Sequence, residues 1–132
     1  EADEPAFLYP DGTMRVAAWQ LFGSLFFGAV NKLEELLDPA AGHPEVVILD
    51  MARLIQLDTT GLEGLENLRD QLQKRGCTLL VCGLNSQPGS LLYRSGFIDH
   101  LGDENVCLDL TAALKRAYIL LPNLMGGFEE DY

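Results

Sequence analysis

The pattern of apolar residues predicts a buried strand near the middle of the chain, followed closely by a helix. Residues 46–49 are all apolar, so neither face of this segment suits water, which is typical of a central strand in a sheet covered by helices. Beyond a short polar loop, apolar residues recur at helical spacing at Leu62, Leu65, Leu68 and Leu72. Thr60 and Glu63 match a capping box, so we expect the helix to begin at about Thr60, with its hydroxyl capping the first free N–H groups.

The segment before the central strand predicts a hairpin and a helix. Residues 7–9 and 14–22 are expected to be strands, and the Pro-Asp-Gly sequence at 10–12 favours a tight turn between them. Residues 23–28 are expected to form a connection. Apolar residues at helical spacing over 29–37 then predict a helix that covers the sheet.

The second half of the chain continues the alternation of helix and strand. We expect the helix from Thr60 to end at Lys74 or Arg75, before Gly76, and the apolar run 77–82 to form the next strand. A strand, a helix and a strand with short links form a right-handed unit with parallel strands. The remaining predicted features are a short helix over 89–95, apolar anchors at Phe97, Ile98 and Leu101, a brief strand at 106–108, and a last helix from Asp109 to about residue 121.

These elements predict a single α/β domain. We expect a mostly parallel central sheet of about four to five strands with an N-terminal hairpin, and about four helices. The domain is expected to occupy residues 7–121. Residues 1–6 are predicted to be disordered or a linker, and residues 122–132 a C-terminal tail.

The net charge of the chain makes some kinds of binding partner less favourable than others. The 132 residues include 20 acidic and 9 basic side chains, for a net charge of −11. This excess argues against nucleic-acid binding and against adhesion to anionic lipid. No apolar run approaches the roughly 20 residues that a membrane-spanning helix needs, so we expect no direct membrane insertion. Because the chain opens at Glu1 without a methionine, we expect a processed product or, more simply, a piece of a larger protein.

The sequence offers little that indicates catalysis. It contains no nucleophile elbow, phosphate loop, dinucleotide fingerprint or paired-histidine zinc motif. His43 and His100 have no partner at ligand spacing, so we predict no metal site, no cofactor and no enzyme activity. Cys77, Cys82 and Cys107 are expected to be buried thiols in a reducing compartment, and the first two should face opposite sides of the sheet.

Two segments carry a resemblance to a known family. Residues 47–50 (Val-Ile-Leu-Asp), followed by residues 57–62 (Leu-Asp-Thr-Thr-Gly-Leu), resemble the signature of the STAS domain, named for sulfate transporters and anti-sigma factor antagonists. Residues 23–27 (Gly-Ser-Leu-Phe-Phe) resemble the G-x-L-F-F segment of the STAS domains that SulP-type anion transporters carry at their cytoplasmic end. The resemblance covers roughly residues 7–121.

The resemblance implies a regulatory loop at Asp58, Thr59, Thr60 and Gly61. In the antagonist branch of the family, a partner kinase modifies the hydroxyl residue directly before the glycine, which is Thr60 here. Thr60 therefore has two interpretations, a structural cap or a phosphoacceptor. Thr59 is the weaker candidate for modification.

The apolar segment of Leu25, Phe26 and Phe27 also has two interpretations. Two adjacent rings cannot both point inward from a regular strand, so either the connection is irregular and buries both, or one ring contacts a partner near the Asp58 loop. The resemblance implies that this partner is the transmembrane domain of the same transporter or its second subunit.

The function that the resemblance implies is regulatory. We expect a non-catalytic domain on the cytoplasmic side of the cell membrane that modulates a SulP-type transporter of sulfate, bicarbonate or dicarboxylates. The alternative is a free-standing anti-sigma factor antagonist switched by phosphorylation of Thr60. A nucleotide-binding domain is a third class, which the absence of a phosphate loop with a lysine disfavours.

Overall fold

The chain folds around one five-stranded mixed sheet. In a computed structural model, the described residues are 6–8, 15–25 and 44–121. The strands lie in sequence order across the sheet, and all neighbouring pairs are parallel except the first, which is antiparallel. This confirms the predicted mostly parallel sheet. The strands are β1 (Ala6–Leu8), β2 (Val16–Leu25), β3 (Val46–Leu57), β4 (Thr78–Cys82) and β5 (Val106–Cys107).

Four helices follow the central strand within the described residues. They are α1 (Thr59–Lys74), α2 (Ser86–Arg94), α3 (Phe97–Leu101) and α4 (Leu110–Leu120), with a 3-10 turn at Asp103–Asn105. The helix predicted over residues 29–37 lies outside the described residues. Each of these helices is too short or too polar to span a bilayer, a finding that holds for the described residues.

The first half of β3 and most of β4 are buried on both faces, as the continuous apolar runs predict. On one face Leu65 and Leu68 of α1 pack against Val47 and Val81, and all four are fully buried. On the other face Ala113 and Ala117 of α4 pack against alternate residues of β3 and β4, including Ile48 and Leu80. Because helices cover both sides of the sheet, its centre has no contact with water.

The segment after Gly96 differs from the prediction. Phe97, Ile98 and Leu101 are buried, as expected for the predicted anchors, and they lie on the short helix α3, which is not among the predicted elements. Gly96 precedes α3 with φ of 87°, a conformation that favours glycine. The spacing of these three residues places them on one side of a helical turn, which explains the result.

The central strand is longer than its apolar run. The predicted loop over residues 50–57 is wrong, because β3 continues to Leu57 and stays paired with β2 as far as Leu25. The last three residues of β2 were likewise predicted as part of a connection. Two register shifts interrupt the pairing, and such bulges increase strand twist. The buried residues after Asp50 are therefore Met51, Leu54 and Leu57, every third residue rather than every second.

Candidate functional site

The helix α1 begins at a corner that Asp58 caps. We call residues 58–61 the β3–α1 corner. Asp58 has extended backbone angles, and its carboxylate Oδ1 accepts a hydrogen bond from the Gly61 N–H at 2.7 Å. The Asp58 carbonyl accepts the first helical hydrogen bond, from the Leu62 N–H, at 2.9 Å. A carboxylate at this position also interacts favourably with the positive end of the helix.

The prediction that Thr60 caps the helix is wrong. Thr60 is the second residue of α1, and the predicted capping box with Glu63 is replaced by the bond from Gly61 to Asp58. The physical reason is the length of β3, since the strand runs to Leu57 and leaves Asp58 as the last extended residue before the helix. Thr59 and Thr60 are both exposed, whereas Gly61 is buried.

The structure brings the start of the second predicted contact segment to the same corner. Leu25 pairs with Leu57 in the β2–β3 register, so its backbone lies beside the residue that precedes Asp58. Phe26 and Phe27 lie outside the described residues. The described part of one resemblance segment, which ends at Leu25, therefore lies beside the start of the other at Leu57.

Beyond the end of β4, β2 and β3 continue together. We call residues 21–25 and 51–57 the β2–β3 ribbon. One side of the ribbon faces the core, and the other exposes Ile55, which is 68% accessible, beside Arg53. The guanidinium of Arg53 lies 5.8 Å from the centre of the Phe22 ring, within the range of a cation–π interaction. An exposed aliphatic side chain and a stacked cation thus lie on the ribbon that leads to the β3–α1 corner.

Two amide side chains on the other edge of β3 were not predicted. Asn85 Nδ2 donates to the carbonyls of Ala52 and Leu54, each at 2.9 Å. Gln87 Oε1 accepts from the Leu57 N–H at 2.8 Å, and Gln87 Nε2 donates to the Leu57 carbonyl at 2.8 Å. Both residues lie about 30 positions from their partners, and no local pattern of the sequence signals such contacts.

The three cysteines are free thiols with raised pKa values. Cys77 and Cys82 belong to the cores on opposite faces of the sheet, which confirms the predicted arrangement. Burial raises the pKa of Cys77 to about 12, and burial also raises the pKa of Cys82, where the Asp50 carboxylate adds to the effect. Burial likewise raises the pKa of Cys107, but this residue is only half-buried, so the prediction of a buried thiol is wrong for Cys107. A raised pKa favours the protonated thiol at neutral pH, and a protonated thiol is a weaker nucleophile than a thiolate.

The histidine and acidic residues that the structure describes do not form a recognisable metal site. His43 lies outside the described residues, and His100 is exposed on α3. Across residues 6–8, 15–25 and 44–121, no group of three or more His, Cys, Asp or Glu side chains is arranged to hold a metal ion.

Known proteins are similar to this chain in sequence and in fold. The family model of the STAS domain matches residues 11–113. The putative sulfate transporter YvdB of Bacillus subtilis is 31% identical over 91 residues, which cover 68% of this chain and 17% of YvdB. The chain therefore spans less than a fifth of the length of that transporter.

Solved structures agree with the sequence comparison. A sulfate transporter family protein from Wolinella succinogenes has a TM-score of 0.76 and 33% identity, over 86% of this chain and 98% of that one. The SulP transporter STAS domain from Vibrio cholerae has a TM-score of 0.74 and 28% identity, over 83% and 85% of the two chains. The anti-sigma factor antagonist SpoIIAA, at 18% identity with a TM-score of 0.70 over 86% and 95%, shares the fold. The chain belongs to the STAS domain family, with relatives among the sulfate transporters.

Proposed function

We propose that this chain is the cytoplasmic regulatory domain of a SulP-family anion transporter, and that it docks on its partner through the β3–α1 corner. The family match and the sulfate transporter relatives support the transporter branch. In this proposal the domain modulates transport and carries out no catalytic step of its own. Sulfate, bicarbonate and dicarboxylates all remain candidate substrates of the whole transporter.

One observation at the corner carries this proposal: the residue that caps α1 is not one of the threonines that the corner exposes. Asp58 holds the start of α1, so the exposed side chains of Thr59 and Thr60 are not needed to cap the helix. Threonine hydroxyls on a rigid helix end can donate and accept hydrogen bonds across an interface. The corner is therefore suited to recognition.

The docking surface extends from the corner along the ribbon. Leu25 reaches the corner through its pairing with Leu57, and we assign Phe26 and Phe27, which follow it directly, to the same contact. Ile55 adds an exposed aliphatic side chain. The partner is the transmembrane domain of the same transporter or its second subunit.

Phosphorylation of Thr60 by a kinase is the form of regulation that this geometry favours. A phosphate would bring nearly two negative charges to a helix end that already holds the Asp58 carboxylate. The added charge would change docking while the cap from Asp58 to Gly61 keeps the helix start in place. Intact-mass analysis of the full-length protein from its native cell tests this step, and an unmodified Thr60 under all growth conditions would remove it.

Docking is tested by comparing two equally exposed isoleucines. Ile55 on the ribbon and Ile119 on α4 are 68% and 66% accessible, so Ile55→Ser and Ile119→Ser carry similar costs for folding. In the full transporter, Ile55→Ser and Phe27→Ser should lower uptake of whichever candidate anion (sulfate, bicarbonate or a dicarboxylate) the wild type transports, and Ile119→Ser should leave that uptake at the wild-type value. Equal uptake in all variants, or uptake lost only together with folding, would refute docking at this surface.

The second candidate is a free-standing anti-sigma factor antagonist switched at Thr60. The exposure of Thr60 at the corner suits this function equally. The gene upstream of Glu1 distinguishes the two functions, because ten or more hydrophobic segments indicate a transporter and a start codon indicates an antagonist. Calorimetry with GTP tests nucleotide binding, the third class.

A further inference from the structure

Within the part of the chain that the structure describes, the edge of β3 that faces β4 has no strand partner over its last residues. Pairing with β4 ends where Asp50 meets Cys82, and β3 continues to Leu57. Backbone N–H and C=O groups along such an edge need other hydrogen-bond partners. Side chains from the segment that follows β4 supply them.

That segment approaches β3 closely. Gly83 has φ of 70°, and a Cβ atom there would lie 3.0 Å from the backbone and side chain of Ala52. Glycine is therefore required both by the conformation and by the space. The approach brings Asn85 to the carbonyls of Ala52 and Leu54.

The side chain of Asn85 forms hydrogen bonds with β3 rather than with its own helix, α2. It is the N-cap residue of α2, a position where asparagine commonly accepts a hydrogen bond from the first turn, yet its side chain makes no such bond. Its Nδ2 atom instead donates to β3, and also approaches the Met51 carbonyl at 3.5 Å. The start of α2 is thus tied to the ribbon.

Gln87 ties the same helix to the last residue of the strand. Its amide engages both the N–H and the carbonyl of Leu57, as a neighbouring strand would. The next residue is Asp58, which caps α1. Two hydrogen bonds on one backbone unit restrict the direction in which the chain leaves β3, and this direction determines where the Asp58 carboxylate and the threonines point.

We propose that Gln87 is the positioning residue of the β3–α1 corner, and that α2 and the corner form one coupled unit. This inference rests on the proposed role of the corner as the docking site, since it assigns to Gln87 the geometry of that site. A change at Thr60 is transmitted through Leu57 and Gln87 to α2. Because coupling is reciprocal, a partner that contacts α2, where Tyr93 is 56% accessible, also affects the corner.

Hydrogen exchange in the 132-residue chain, followed by NMR, tests the positioning role. Gln87→Met keeps the length of the side chain and loses both hydrogen bonds, and Gln73→Met on the exposed side of α1 is the matched control. We expect Gln87→Met to accelerate exchange of the Leu57 and Gly61 amides by about tenfold, the effect of losing one or two hydrogen bonds. Leu80, in the middle of β4, and the control variant should keep wild-type rates. Wild-type exchange at Gly61 in Gln87→Met would overturn the proposal, whatever happens at Leu57.

A second measurement leaves Gln87 in place. Thr60 and Thr111 both lie two residues after a capping aspartate, because Asp109 accepts from the Ala112 N–H at 2.9 Å as Asp58 does from Gly61. Thr60→Glu should accelerate exchange of the Gln87 side-chain NH₂, and Thr111→Glu should not. Unchanged exchange in Thr60→Glu would also overturn the coupling. Neither experiment needs a transporter, so a failure of docking and a failure of this inference are distinguished.

Discussion

The carboxylate of Asp58 accepts a hydrogen bond from the Gly61 N–H at 2.7 Å, and this contact fixes where α1 begins. Replacing Asp58 by alanine removes the cap and leaves a helix N–H without its acceptor. We expect Asp58→Ala to lower the free energy of unfolding by about 1 kcal/mol. Urea unfolding of the chain measures the change, with Glu63→Gln on the exposed side of the same helix as the control.

Urea unfolding also distinguishes Asp58, the residue that caps the helix in the structure, from Thr60, the residue that the sequence predicts as the cap. Thr60→Val should change the free energy of unfolding by less than about 0.5 kcal/mol, as expected for an exposed position that caps nothing. A loss equal to that of Asp58→Ala would show that the threonine hydroxyl, rather than the carboxylate, holds the helix.

Phe97 connects the short helix α3 to α1. Its ring is fully buried, and the guanidinium of Arg69, itself buried, lies 5.0 Å from the ring centre. Phe97→Ala should lower the free energy of unfolding by about 3–5 kcal/mol, because it removes a large core side chain. Tyr93→Ala, at an exposed position on α2, should change it by less than about 0.5 kcal/mol. Similar losses in both variants would contradict the packing described here.

The raised pKa of Cys77 predicts a loss of stability in alkali. Burial holds the pKa of the folded thiol near 12, against a usual value of 9.0, so the unfolded chain releases this proton at a lower pH than the folded chain does. The contribution of the thiol is fully present below the unfolded pKa and is lost as the pH rises from about 9 towards 12. In this pH window, ionisation of the Cys77 thiol lowers the free energy of unfolding by up to about 1.4 kcal/mol per pH unit.

Urea unfolding at several pH values measures this effect. The wild-type chain should lose more stability between pH 8 and pH 10 than Cys77→Ala does, although alanine costs stability at every pH through the lost side chain. Parallel pH profiles for the two proteins would show that the Cys77 thiol ionises equally in the folded and unfolded chains.

The sequence predicts the architecture of this domain well, because its strands are continuous apolar runs. Residues 46–49 and the run that ends at Cys82 can only be buried strands, and the four leucines of α1 define its packed side. A strand–helix–strand order then dictates parallel pairing. The antiparallel pairing of β1 and β2 agrees with the hairpin that the sequence predicts.

The sequence fails where twist or distant contacts decide the structure. The end of β3 was predicted as a loop because Met51, Leu54 and Leu57 recur with a period of three, which matches neither a regular strand nor a long helix. Residues 58–60 are all of types that can cap a helix. The length of β3 therefore decides whether Asp58 or Thr60 is the cap. The hydrogen bonds of Asn85 and Gln87 join segments that only the folded sheet brings together.

The most direct test of docking at the β3–α1 corner compares Thr60→Glu with Thr111→Glu in the full transporter, reconstituted in vesicles. The two threonines occupy equivalent positions after capping aspartates on α1 and α4, so the substitutions add the same charge in the same local setting. We predict that Thr60→Glu changes the rate of uptake of whichever candidate anion the wild type transports, that Thr111→Glu leaves this rate at the wild-type value, and that both domains unfold at the same urea concentration. Equal uptake by the two variants would contradict the assignment of the corner as the regulatory surface.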